Sequence, residues 1–279
     1  MDNLILLILL GFVVGTLGTL IGAGGGFILV PLLIIIQPAF TPETITAISM
    51  AIVACNAISG SVAYVSSKRV DFKAGFIFAI FTIPGSILGV LTTKYISREI
   101  FDIIFGIVLL GLAIFLFLNG GDEKTKDAKP VIHKKGWIHQ RITDKWNEVY
   151  DYSYDIRKGS LLSLFVGYFS PLLGIGGGII HVPAMAEWLN FPVHIATATS
   201  HFILAIMATV SVIVHIYNGN YNDPLIFKMV LWLGIGVILG AQMGAFLSRK
   251  MNGKFIIKAL AVSLGLVGIR ILMLRLTNT

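Results

Sequence analysis

The chain has 279 residues, 56% of them hydrophobic and only 13% charged, with a net charge of +7 and a mean hydropathy of +0.88. A soluble domain carries about 25% charged residues, so a soluble globule is excluded and lipid must cover part of the surface. The basic excess sits in loops between apolar runs, the positive-inside pattern of membrane proteins, and no nucleic acid partner is expected.

Residues 4–36 contain no charge, nor do 44–67 and 74–93, while 100–118 contain only Asp102. In the second half, residues 159–186, 188–222, 229–248 and 255–269 behave alike, apart from four histidines and Lys258. About 20 apolar residues cross the hydrocarbon layer, so the reading is all-α, a polytopic helical protein of a cell's inner (cytoplasmic) membrane. The first run lacks a basic leading region and a clean cleavage site, so it reads as a retained span, not a signal peptide. Cys55 is the only cysteine and lies in an apolar run, which excludes an internal disulfide and a cysteine zinc cluster.

The first run is also the oddest. Its 33 residues would make a helix of about 50 Å, too long for one upright span and too short for two. Glycines at its middle weaken the helix and free the backbone to bend. A broken helix or a re-entrant hairpin is expected, with half-helices opening at Phe27 and, in the second half, Ile179.

The same design recurs after the polar centre. Residues 15–31 match 167–183 at a constant offset of 152, with Gly15, Gly22, Gly24, Gly25, Gly26, Val30 and Pro31 all meeting identical partners. Thr46 to Ser49 parallels Thr197 to Ser200, and Gly85 and Gly89 parallel Gly240 and Gly244. Two pseudo-symmetric halves are expected, 1–118 and 159–279, each a broken first element plus three transmembrane helices. A through-going broken helix implies parallel repeats, and a re-entrant hairpin implies inverted ones. Lys68, Arg69 and Lys73 follow the second run, whereas the matching loop 218–223 has no Lys or Arg. This asymmetry fits inversion, with Arg249, Lys250 and Lys254 on the same side. Lys94 and Arg98 point the other way.

The segment 119–158 holds nine Lys or Arg residues and is expected in the cytoplasm. Residues 137–157 read as an amphipathic surface helix burying Trp137, Ile142, Trp146 and Val149, or as a partly ordered loop with aromatic anchors.

Free N–H groups and the positive dipole end at a helix break suit an anion. This makes Gly24, Gly25, Gly26, Gly176, Gly177 and Gly178 candidate binding residues. Gly85, Gly89, Gly240 and Gly244 fit tight helix packing instead. A nucleotide-binding loop does not fit, because the glycine run lacks the Lys and Ser/Thr that such a loop needs. Ser49, Asn56, Thr199, Ser200 and His201 are donors inside apolar runs, and His181 lies three residues past the second glycine run. Ionisable groups within spans are functional candidates. His215 is a weaker one. No catalytic constellation, cofactor or metal site is expected.

The repeated Gly-x-Gly-Gly-Gly followed by Val-Pro, the Ala-x-x-Ser stretch in the next helix and the duplicated layout resemble the TauE/SafE sulfite-exporter family of permeases over essentially the whole chain. The resemblance implies a secondary transporter of a small sulfur-containing anion, a sulfite or a sulfonate, working as an exporter. An anion channel, or a membrane subunit that recruits a partner through the linker, is the alternative. Proton coupling through His201 or His181 and a homodimer are open.

Overall fold

A computed structural model describes residues 4–119, 137–250 and 253–276. The described residues form ten helices and one hairpin. The first half contains α1 (Leu4–Ile21), α2 (Gly26–Ile36), α3 (Pro42–Ser66), α4 (Phe72–Thr93) and α5 (Arg98–Asn119). After β1 (Trp137–Thr143) and β2 (Val149–Asp155), the second half contains α6 (Ile156–Leu173), α7 (Gly178–Trp188), α8 (Val193–Tyr217), α9 (Pro224–Lys250) and α10 (Gly253–Leu276). Five of the helices, α1, α3, α4, α8 and α9, are long and apolar enough to cross a membrane. The polytopic helical reading therefore stands. Each half opens with an interrupted element and continues with three helices.

Packing sets the helix directions. Gly11 and Gly15 of α1 lie against Leu233 and Val237 of α9, and Gly240 and Gly244 lie against Phe12 and Thr16, so α1 and α9 run parallel. Gly85 and Gly89 of α4 meet Leu164, Tyr168 and Leu172 of α6, again in parallel. Ser59 bonds Ile238 and Tyr64 bonds Ser248, so α3 also runs with α9. Asp71 faces Thr199 and Gly75 faces Phe202, so α4 runs with α8. Leu110 meets Gly268 and Ala113 meets Gly265, so α5 and α10 are antiparallel. Small residues let these backbones touch, which suits lipid, where there is no hydrophobic drive between helices.

The ends are capped by ordinary means. Thr41 accepts from the Thr44 N–H with Pro42 at the first turn of α3, and Asp71 does the same for Ala74 in α4. Gly174 closes α6 in the left-handed conformation at φ 67°.

The segment before α6 departs from both expectations. Residues 137–155 form an antiparallel hairpin pairing Trp137 with Asp155 and Thr143 with Val149, not an amphipathic helix. Tyr152 and Tyr154 are buried against Phe191 and Phe78. The Tyr152 hydroxyl donates to Asp71, and the Lys145 N–H donates to the Ser67 carbonyl. The hairpin is thus built into the α3–α4 connection.

Its latch is a buried ion pair. Arg69 Nε and Nη2 donate to Asp144 Oδ2 at 3.0 and 2.8 Å, with side-chain exposures of 6% and 0%. Burial alone would raise the Asp144 pKa, but Arg69 and the N–H groups of Trp146 and Glu148 hold the carboxyl below its ordinary 3.8. A depressed carboxyl contributes stability that is complete at neutral pH and is lost only as pH falls through the depressed value. Breaking a buried pair leaves an uncompensated charge, at a cost of about 3 kcal/mol or more. Arg69→Ala is therefore expected to lower the thermal midpoint by several degrees at pH 7. An unshifted midpoint would remove the latch.

Candidate functional site

The two interruptions meet at mid-height of α3 and α8. Residues 22–25 break the first element and 174–177 the second. The half-helices open at Gly26 and Gly178, one residue before the expected Phe27 and Ile179. Gly22, Gly24 and Gly25 have φ of 81°, 80° and 84°, and Gly174 and Gly176 have 67° and 75°, a region L side chains avoid. Gly177, by contrast, is right-handed at φ −58°, so the halves are not equivalent.

The glycine runs also pack on each other. A Cβ at Gly26 would run into the Gly174 carbonyl and Ile175, one at Gly176 into the Ala23 carbonyl, and one at Gly178 into the Gly22 carbonyl. Gly25 lies against Val14 and Gly177 against Val166, while Gly24 meets Leu204 and Val53. Close approach of the breaks is thus part of what these glycines do.

Beside the first break lies a polar group inside apolar surroundings. The Thr19 hydroxyl donates to Asn56 Oδ1 and sits 3.2 Å from His201 Nε2. All three side chains are fully buried. Gly60 carries no Cβ where the His201 ring approaches, and a Cβ there would lie 2.8 Å from Nε2. Asn56 Nδ2 has no hydrogen-bond partner. A Cβ on Gly18 would lie 2.5 Å from Asn56 Nδ2 and closer still to the Gly25 nitrogen, so only glycine fits beside them. An unpaired buried donor is costly, which makes Asn56 Nδ2 a candidate contact for an acceptor.

The remaining expected residues are dispersed. Ser49 donates to the Gly174 carbonyl and so ties α3 to the second break. His181 Nε2 lies 3.2 Å from Ser163 on α6, in a second buried group. Thr199 accepts from the Asp71 N–H at the hairpin end, and so stands apart from His201. Ser200 is fully buried, with its hydroxyl unpartnered. His215 Nδ1 bonds Asn220 at the far end of α8. Thr19, Gly18 and Gly60 were not anticipated. Thr19 stands where the second copy has Pro171, one of several positions at which the two copies differ.

Tyr64 closes the polar group on the hairpin side. Its hydroxyl donates to the Thr19 carbonyl at 2.8 Å, and its ring stands edge-on to His201 with centroids 5.6 Å apart. Among the described residues, no three His, Cys, Asp or Glu side chains cluster as metal ligands.

A family model described as sulfite exporter TauE/SafE matches residues 7–271. The chain is 32% identical over 276 residues to the probable membrane transporter protein YunE of Bacillus subtilis, covering 97% of each chain. It is 27% identical over 281 residues to a probable membrane transporter protein of Methanocaldococcus jannaschii, covering 96% of this chain and 95% of the relative. A probable membrane transporter protein of Haemophilus influenzae is 25% identical over 257 residues, covering 90% and 88%. No solved structure matches the chain.

Proposed function

The chain belongs to the TauE/SafE family of sulfite exporters, and from that premise we propose that it is a secondary transporter carrying a small sulfur oxyanion out of the cell. Membership makes it a multi-pass membrane transporter and not an enzyme. The substrate class, the direction and the site are our reading. The observation that carries it is the fully buried and unpartnered Asn56 Nδ2 beside Thr19 and His201. Donors fixed in a low-dielectric interior recognise an oxyanion, and no cofactor is needed.

The helix directions support an inverted repeat of residues 1–118 and 159–279 about the linker. In the first half α1 and α3 run with α9, while α6 runs with α4 and α8. Lys68, Arg69, Lys73 and the hairpin then share one end of the bundle with Lys250, which positive-inside topology assigns to the cytoplasm.

Export of an anion from an interior-negative cell runs downhill electrically. Each charge moved through 100 mV is worth about 2.3 kcal/mol. Purified protein in liposomes is expected to release sulfite faster as the lumen facing the hairpin side is made more negative. Sulfite flux that ignores the imposed potential contradicts electrogenic export. Acetate carried as fast as sulfite contradicts the anion class.

A further inference from the structure

Between the hairpin tip and the ends of α3 and α9 lies a cleft of about 190 Å³, lined by Tyr64, Ser67, Arg69, Trp146, Gln242 and Phe246 among others. It is more than a seam between elements. Arg69 stacks on the Trp146 ring at 4.9 Å, and Lys250 stacks on Phe246 at 4.8 Å, so two cations flank its walls. Its inner wall is Tyr64, whose other side contacts Thr19 and His201. One tyrosine therefore separates this cleft from the polar group at the first break.

The charge at its centre is already matched to an anion. Arg69 directs Nε and Nη2 onto a single carboxylate oxygen of Asp144, with Glu148 Oε2 at 3.6 Å. A guanidinium fork of this shape serves sulfur and phosphorus oxyanions as well as carboxylates. Asp144 sits in the turn between β1 and β2, a part of the hairpin that its own short hydrogen bonds to Trp146 and Glu148 would hold together if it lifted.

We propose that this cleft is a loading site for the transported oxyanion, in which the substrate takes the place of Asp144 on Arg69 and thereby lifts the hairpin tip from the α3–α4 connection. The proposal rests on the transporter reading above. It assigns Asp144 the role of a resident counter-ion that keeps Arg69 neutralised while the site is empty. No covalent step is involved. Arg69 is the recognising group, Trp146 and Phe246 are the walls, and Tyr64 is the barrier to be passed next.

The test is thermal unfolding of the full-length protein with sulfite as the probe, and acetate and chloride as controls. Asp144→Asn keeps the turn acceptor for Trp146 and Glu148 but leaves Arg69 short of its main counter-ion. Sulfite at saturating concentration is expected to raise the midpoint of this variant by about 4 °C more than that of the wild type. The excess is expected to vanish in Arg69→Gln/Asp144→Asn, where a neutral pair replaces the charged one. It is expected to persist in Asn56→Asp/Asp144→Asn, because it does not pass through the polar group at the first break. Equal shifts in wild type and Asp144→Asn overturn the proposal. So does an excess retained without Arg69, or equal rescue by acetate. If the excess disappears with Asn56 instead, the loading site falls while the transporter reading stands. If the wild type moves no sulfite across a liposome membrane, the transporter reading falls with it.

Discussion

Gly178→Val is expected to leave almost no folded protein. Gly178 is the first residue of α7, and a Cβ there would be driven into the Gly22 carbonyl and the Ala23 Cα of the opposing break. Both neighbours are backbone, and they are held in place by Ala23 and Gly24 N–H groups that donate to the Gly18 carbonyl. No rotamer change can relieve the clash. Overpacking of a fitted core costs about 1–3 kcal/mol and more where backbone must move, and Gly178 belongs to the second case. Gly111 provides the control. Nothing lies within 4 Å of a Cβ built there, and alanine is favoured over glycine in a helix interior by about 1 kcal/mol. Gly111→Ala should unfold at or slightly above the wild-type temperature, while Gly178→Val should run as aggregate on size exclusion. Wild-type behaviour of Gly178→Val would mean that the two breaks do not touch.

Asn56→Asp is expected to reduce sulfite flux by about 100-fold. The substitution keeps the oxygen that accepts the Thr19 hydroxyl, so α1 and α3 stay joined. It removes Nδ2, the donor with no partner in the protein, and replaces it with an oxygen that repels an anion. A hydrogen bond to a charged group is worth about 1.5–3 kcal/mol, which spans the expected loss before repulsion is counted. Asn56→Leu, of similar volume and without donor or acceptor, should lose flux to a similar degree. Liposome flux normalised to folded protein checks both.

Much of the architecture could be read from the sequence, for reasons visible in particular residues. The offset of 152 between Gly22–Gly26 and Gly174–Gly178 suggests a duplicated layout, and in the fold each half has an interrupted element followed by three helices. The excess length of the first apolar run required a break, and the break occurs at the glycines. The packing role of Gly85, Gly89, Gly240 and Gly244 followed from their spacing, and each does meet backbone of a neighbouring helix.

Two periods overlap in the hairpin sequence, which is why a helix is expected there and a hairpin forms. Trp137, Ile142, Trp146 and Val149 fall at helical spacing, while Tyr150, Tyr152 and Tyr154 alternate with Asp151, Ser153 and Asp155 at strand spacing. The strand period won because Tyr152 and Tyr154 find Phe191 and Phe78 to pack against. That contact is made by α4 and the approach to α8, far away in the chain. The polar group at the first break, the candidate site, was legible only in part. Asn56 and His201 were singled out as donors in apolar runs. Thr199 and His201 are neighbours in sequence, yet the Thr199 hydroxyl accepts from Asp71, 128 positions away. Thr19 went unnoticed because one threonine on one apolar helix is ordinary until the fold sets Asn56 and His201 beside it.

The account stands on an anion being held by the buried polar group beside the first break, with Asn56 Nδ2 as its free donor. Equilibrium binding of labelled sulfite to purified protein tests this without reference to direction, coupling or potential. Wild type is expected to bind saturably, with thiosulfate competing and acetate not, and Asn56→Asp is expected to bind at least about tenfold more weakly when binding is normalised to folded protein. Undiminished binding by a folded Asn56→Asp protein would contradict the account.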